Sequence, residues 1–220
     1  MAKLDKDIDK LLKEMHSASG VDKGDPGERA VLKLCESIYQ QQGGILYHSY
    51  EYRTDKSLAG NVKKSEETGQ LYIENLGNMT EIDVLLVTPF RIFPIEVKAY
   101  KANTITLTDE GIAGCRVTNK SPVHQNEMHC RHLYSGLFKA IPNGDTSYIV
   151  PIVCLVDKAK IIDNRSDWQK EYIKLCTLNT LRKTLVQFNQ PGEFKLNLTS
   201  VDNTLKELRT GYNMYLPVRI

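Results

Sequence analysis

Glu81-Ile-Asp-Val-Leu-Leu-Val-Thr-Pro-Phe-Arg-Ile-Phe-Pro-Ile-Glu-Val-Lys98 is the stretch on which the fold turns. Residues 82–87 and 92–97 are apolar, β-branched runs, and Thr88, Pro89, Phe90 and Arg91 between them supply a turn, so the runs are expected to pair as an antiparallel hairpin. A short turn sets the beginning of the first run beside the end of the second. Asp83 therefore comes close to Glu96. Glu96 and Lys98, two positions apart, share a face because side chains alternate along a strand. Pro94 has no N–H to give a ladder, so it must stand where no donor is needed or at a bulge.

Two carboxylates and an ammonium set among apolar neighbours are costly unless something compensates them. A divalent cation does so. Mg²⁺ is held by one or two carboxylates with several waters at about 2.0–2.1 Å, a set that Asp83 and Glu96 can supply. Such an ion acidifies water and stabilises charge developing on a phosphate, while a lysine positions the nucleophile or neutralises charge. Asp83, Glu96 and Lys98 thus have the composition of phosphodiester-hydrolysis chemistry. A bare Glu-x-Lys on an exposed edge strand, with an aspartate capping a turn, would carry no such meaning. The apolar flanks and the matched position of Asp83 on the preceding strand favour the metal site.

Working outward, Leu4, Ile8, Leu11, Leu12 and Met15 recur at helical spacing and predict an amphipathic helix over 3–16. Residues 17–27 are rich in glycine, serine and aspartate and read as a connection. A second helix is expected over 28–42, with Val31, Leu32, Cys35, Ile38 and Tyr39 on one side and Gly43 and Gly44 as its stop. Strand patterns follow at 45–52, 71–75, 104–107 and 115–118, and 53–69 reads as a long polar loop. If 45–52 is a regular strand, Tyr50 and Tyr52 share a face with His48 while Tyr47 points the other way. Residues 122–139 turn helical with Pro122 in the first turn. The run 148–156, broken only by Pro151, reads as a strand buried on both faces, and 171–176 as a shorter one. Residues 178–188 and 201–208 have helical spacing, the latter closed by Gly211. This order argues for an α/β domain, a mixed central β-sheet flanked by helices.

Composition supports a packed soluble domain. The 220 residues are 41% hydrophobic and 25% charged, which excludes collagen-like, low-complexity and wholly disordered classes. No stretch approaches the roughly 18–20 apolar residues that a membrane helix needs, so no membrane partner is expected. The N-terminus lacks a continuous apolar core and does not read as a secretory signal, so the expected location is cytoplasmic. Five cysteines with no Cys-x-x-Cys pair fit reduced thiols. A net charge of +2 names no partner, although seven basic residues against three acids over 158–183 form a locally positive segment, either a binding patch or a solvated face.

The sequence resembles the PD-(D/E)xK nuclease superfamily and, within it, the nuclease-related domain (NERD) family, through four short blocks whose order and spacing carry the likeness. Gly24-Asp-Pro-Gly-Glu28 is similar to the family's G-x-x-G-E opening of the first helix, and Thr80-Glu-Ile-Asp83 to its G-E-I-D block. Ile95-Glu-Val-Lys98 is similar to I-E-x-K, and Ser121-Pro-Val-His-Gln125 to N-P-x-x-Q. The resemblance implies a restriction-endonuclease-like core in which Asp83, Glu96 and the Val97 carbonyl hold Mg²⁺, with Mn²⁺ able to substitute. Lys98 would be the catalytic lysine. Glu28 would complete the acidic cluster through a metal-bound water, and Gln125 would orient groups or contact substrate. Taken alone, Glu28 reads equally as a first-turn acid favoured by the helix dipole, and Gln125 as a surface residue. Ser121 stands where the family has asparagine, Thr80 where it has glycine, the turn between the strands lacks its glycine, and Pro94 is an addition.

Other constellations are weaker. His124, His129, Cys130 and His132 cluster in one helix, but no second ligand pair follows for zinc, so they read as basic contacts along a phosphate backbone or as having no specific role. Arg53, Lys56, Lys63 and Lys64 lie on a loop that either closes over a phosphate backbone or is solvated. No phosphate-cradling glycine motif is present. The expected organisation is an N-terminal helix and linker over 1–20, a nuclease-like domain over 21–190 and a C-terminal helical extension over 191–220. The expected function is metal-dependent hydrolysis of DNA, endonucleolytic and of low sequence specificity. RNA shares the chemistry, and a nuclease fold that binds nucleic acid or scaffolds without turnover is the alternative. The apolar stripe of the first helix serves a homodimer as readily as an intramolecular groove.

Overall fold

The computed structural model describes residues 24–53, 61–64, 71–74, 79–100, 102–113, 121–156 and 159–209. The helix expected over 3–16, the strand at 115–118 and the stop at Gly211 lie outside the described residues.

The chain runs through α1 (Gly24–Gln42), β1 (Ile45–Arg53), β2 (Asn61–Lys64), β3 (Leu71–Glu74), β4 (Met79–Val87), β5 (Ile92–Lys98), β6 (Thr104–Leu107) and β7 (Ile112–Ala113). It continues through α2 (Pro122–Leu137), β8 (Ile152–Leu155), β9 (Lys160–Asp163), α3 (Asp167–Tyr172), β10 (Lys174–Thr177), α4 (Leu178–Phe188) and α5 (Leu198–Arg209). The central sheet has the order β1-β4-β5-β8-β10. Its first two pairings are antiparallel and its last two parallel, a mixed sheet as the alternation of elements implies. β2 pairs with β3, and β6 lies between β7 and β9 in a small separate sheet.

Helices cover both faces. On one, Val31, Cys35 and Ile38 of α1 and Leu181 and Leu185 of α4 bury against Val84, Leu86, Phe93, Ile95, Ile152 and Cys154. On the other, Leu133 and Leu137 of α2 and Val201, Leu205 and Leu208 of α5 bury against Tyr50, Ile82, Leu85 and Ile92. Each large aliphatic side chain so buried contributes about 1.5–3 kcal/mol, and this, rather than any single polar bond, holds the layers together. The thiols of Cys35, Cys130, Cys154 and Cys176 are free and buried.

The hairpin forms as the pattern predicts, Val84 opposite Ile95 and Val87 opposite Ile92. Its turn closes without glycine because Thr88 Oγ1 accepts the N–H groups of Phe90 and Arg91. Gly44 is needed beside the same turn: at φ 150° a Cβ there would lie 2.2 Å from the Val87 carbonyl oxygen. Pro94 stands opposite Leu85. The neighbouring β8 begins just after Pro151, and buried Asn126 spans this donor-poor stretch, its Nδ2 donating to the carbonyls of Pro94 (3.3 Å) and Ile152 (2.7 Å).

Four expectations need correction. The loop over 53–69 contains β2. The strand expected over 148–156 is confined to Ile152–Leu155: Pro151 has no N–H and breaks the ladder, before it Val150 N–H donates to the Ile92 carbonyl only as an isolated bridge, and Thr146–Tyr148 forms a 3₁₀ turn. The strand expected over 171–176 is instead the end of α3 followed by β10: Ser166 caps the helix by accepting the Gln169 N–H. Tyr47 does not point away from its neighbours. Ser49 adopts φ 48°, the strand twists there, and the Tyr47 and Tyr50 rings lie 5.1 Å apart. β4 switches faces at the opposing position, since Ile82 joins Leu85 and Val87 in one cluster while Val84 and Leu86 join the other.

Candidate functional site

The face switch at Ser49 and Asp83 falls beside the end of the hairpin ladder. The β4–β5 pairing stops at Val84 and Ile95, and beyond it the Val97 N–H is donated to Asp83 Oδ2 at 2.7 Å. Asp83 thereby sits against the strand that carries Glu96 and Lys98. Alternation along β5 does the rest: Lys98 Nζ meets Glu96 Oε1 directly, on a carboxylate that is fully buried.

Burial dominates the electrostatics. Desolvation, followed by the charge of Asp83, pushes Glu96 up to about 7 against partial relief from Lys98. Desolvation likewise raises Asp83 to about 6, although the Val97 N–H and Lys98 pull the other way and Glu28 and Glu81 add to the rise. Lys98 is the mirror case. Desolvation favours its neutral form, but Glu96, then Asp83 and Glu28, outweigh it and hold the ammonium above its ordinary value.

Glu28, in the first turns of α1, is close enough for its charge to act on Asp83, Glu96 and Lys98, and its Oε2 lies 3.3 Å from His48 Nε2. Gly27 makes this approach feasible: a Cβ there would meet Val156 Cγ2 at 2.8 Å, so only a residue without one lets α1 sit against the end of β8. The structure therefore brings Glu28, Asp83, Glu96 and Lys98 together. Val97 enters through its N–H. Gln125 lies one turn before His129 on α2, and among the described residues no hydrogen bond or ion pair joins its side chain to the four charged groups.

Two histidines join the site that spacing alone does not place there. His48 reaches Glu28 because the twist at Ser49 leaves it on the α1 side. His129 is 6% exposed, so it is no contact for a phosphate backbone; its Nδ1 faces Glu96 Oε2 at 3.6 Å. Burial, with Lys98 and His132 nearby, lowers His129 to about 4, and it is neutral at physiological pH. Glu96 Oε2 and His129 Nδ1 are both buried without a hydrogen-bond partner. That orphaned carboxylate oxygen, beside a second carboxylate, is what a hard dication would satisfy. Among the described residues no three His, Cys, Asp or Glu side chains stand ready as a complete cage. This suits an ion that shares its coordination with waters and a substrate phosphate.

Residues 23–156, which include all of these groups, match the family described as Nuclease-related domain. No curated protein and no solved structure matches the chain.

Proposed function

The chain belongs to the nuclease-related domain family, within the restriction-endonuclease-like superfamily, and from that premise we propose that it is a metal-dependent nuclease hydrolysing DNA phosphodiester bonds endonucleolytically and with low sequence specificity. The observation that carries this reading is the buried Glu96 carboxylate, one oxygen on Lys98 and the other without a donor, at the strand end where Asp83 adjoins it. Asp83, Glu96 and the Val97 carbonyl are the groups that would hold Mg²⁺ or Mn²⁺. The ion, when bound, supplies charge stabilisation for the attacked phosphate and an acidified water.

The protein's own groups have separable duties. Lys98 keeps its proton because three carboxylates surround it, so it acts as a cation that places the attacking water or neutralises phosphate charge, not as a base. Glu28 extends the acidic cluster from the α1 side, where His48 holds its carboxylate. Gln125 would orient groups or contact substrate from α2. Low specificity follows from the lack of an identifiable base-reading element.

Incubation of supercoiled plasmid with Mg²⁺ or Mn²⁺ tests the proposal. Wild type nicks and linearises the plasmid, and Lys98→Ala slows this by at least about 100-fold, the scale of removing one preorganised charge from a transition state. Equal background nicking by both proteins would remove the enzymatic reading. Parallel digestion of RNA defines the polymer. A non-catalytic nucleic-acid-binding or scaffolding role is the second reading, favoured by the departures from the family's blocks at Thr80, Pro94 and Ser121; it predicts no Asp83-dependent Mn²⁺ binding in calorimetry.

A further inference from the structure

We propose that His129 is a nitrogen donor to the cation held at Glu96, making the centre a mixed carboxylate–imidazole site that prefers Mn²⁺ to Mg²⁺. This rests on the metal-dependent reading above and goes beyond it, since the family blocks assign the ion only oxygen ligands.

The argument starts from two facing orphans. His129 Nδ1 and Glu96 Oε2 are buried, 3.6 Å apart, and neither has a hydrogen-bond partner. Buried polar atoms are nearly always satisfied, so an opposed pair of exceptions points to a third party between them. The separation excludes one bridge, a water, and leaves two arrangements. A direct N–H···O bond, about 2.7–3.2 Å, needs a contraction of about the same size as a shared cation and is the competing arrangement, which the nitrogen coupling below tells apart. A bridging water, about 2.8 Å from each atom at a tetrahedral angle, would need about 4.5 Å, longer than the gap. A cation about 2.1 Å from an imidazole nitrogen and a carboxylate oxygen sets them about 3.0–3.4 Å apart, which a contraction of a few tenths of an ångström achieves.

Three neighbouring groups are engaged elsewhere. Glu96 Oε1 is on Lys98, and the Asn126 amide is spent on the carbonyls of Pro94 and Ile152. Cys130 Sγ is directed at Asn126 Oδ1. With its proton on Nε2, His129 presents a lone pair at Nδ1. An imidazole donor discriminates: Mn²⁺, although it favours oxygen, stands at the foot of the first-row series and accepts a nitrogen among its ligands, whereas Mg²⁺ takes oxygen.

Calorimetric titration of the full-length protein with MnCl₂ and MgCl₂, without nucleic acid, is the first arm. Mn²⁺ binds wild type at least about tenfold more tightly than Mg²⁺. His129→Gln weakens Mn²⁺ binding about 10- to 100-fold while Mg²⁺ changes little. An unchanged Mn²⁺/Mg²⁺ ratio in His129→Gln overturns the inference, as does an equal fall for both ions, the signature of an imidazole that merely positions Glu96. The second arm needs no variant. Electron spin-echo spectra of the Mn²⁺-loaded wild type carry modulation from a directly bound nitrogen, and its absence overturns the inference. If neither ion binds wild type, the inference is lost and the plasmid assay alone decides the nuclease reading; if Lys98-dependent cleavage persists without nitrogen coupling, only the role of His129 is lost.

Discussion

Asp83 and Glu96 make the cation-free protein sensitive to alkali. Their carboxyls titrate near 6 and 7 when folded, against 3.8 and 4.5 for exposed groups, so the native state binds more protons than the unfolded chain between about pH 4 and pH 7. Stability from these two groups is therefore fully present below about pH 4 and is lost as pH rises through their folded values. We expect thermal melting in chelator to show a higher Tm at pH 5 than at pH 8, with the difference shrinking in Glu96→Gln; a difference that persists undiminished would contradict the burial argument. Mn²⁺ should raise Tm more at pH 8 than at pH 5. At this scale the triad was legible because strand alternation and one short turn suffice to juxtapose Asp83, Glu96 and Lys98. His129 was not, since helical spacing groups it with His124 and His132 but says nothing of a carboxylate on a distant strand.

Among the elements, α2 does more than cover the sheet. Asn126 satisfies two buried carbonyls around Pro94 where the β5–β8 ladder is interrupted, and Asn126→Ala leaves them without a donor. The expected cost is about 1–3 kcal/mol, read as a lower urea midpoint with an unchanged m-value. Replacement by aspartate should be no better, because a carboxylate offers carbonyls no donor. The hairpin, α1, α2 and α4 were visible from period and punctuation alone. The face switch at Ser49 was not, because a positive φ at a serine leaves no trace in an alternating pattern of tyrosines. Nor was α3, since six residues with mixed polarity carry no helical period, and only the cap at Ser166 marks the start.

For the molecule as a whole, the stretch that matches the family ends at residue 156, but the packing does not. β10 completes the sheet beside β8, α4 covers one face with Leu181 and Leu185, and α5 covers the other with Val201, Leu205 and Leu208. A protein cut after residue 156 should therefore be insoluble or lack near-ultraviolet dichroism, and a soluble, cooperative fragment would show that these later elements are dispensable. The mixed sheet with helices on both faces was foreseeable from element order, whereas the small β7-β6-β9 sheet was not, because β9 is short and half-exposed. The cysteines of the core carry a further consequence. With Cys35, Cys130, Cys154 and Cys176 sealed inside, and burial driving the protons of Cys35 and Cys130 on more firmly, an alkylating reagent meets them only when the layers part. In a Cys115→Ser background, the rate at which iodoacetamide consumes the remaining sulfhydryls becomes a clock for breathing of the interior, and any cation that clamps the sheet should slow it.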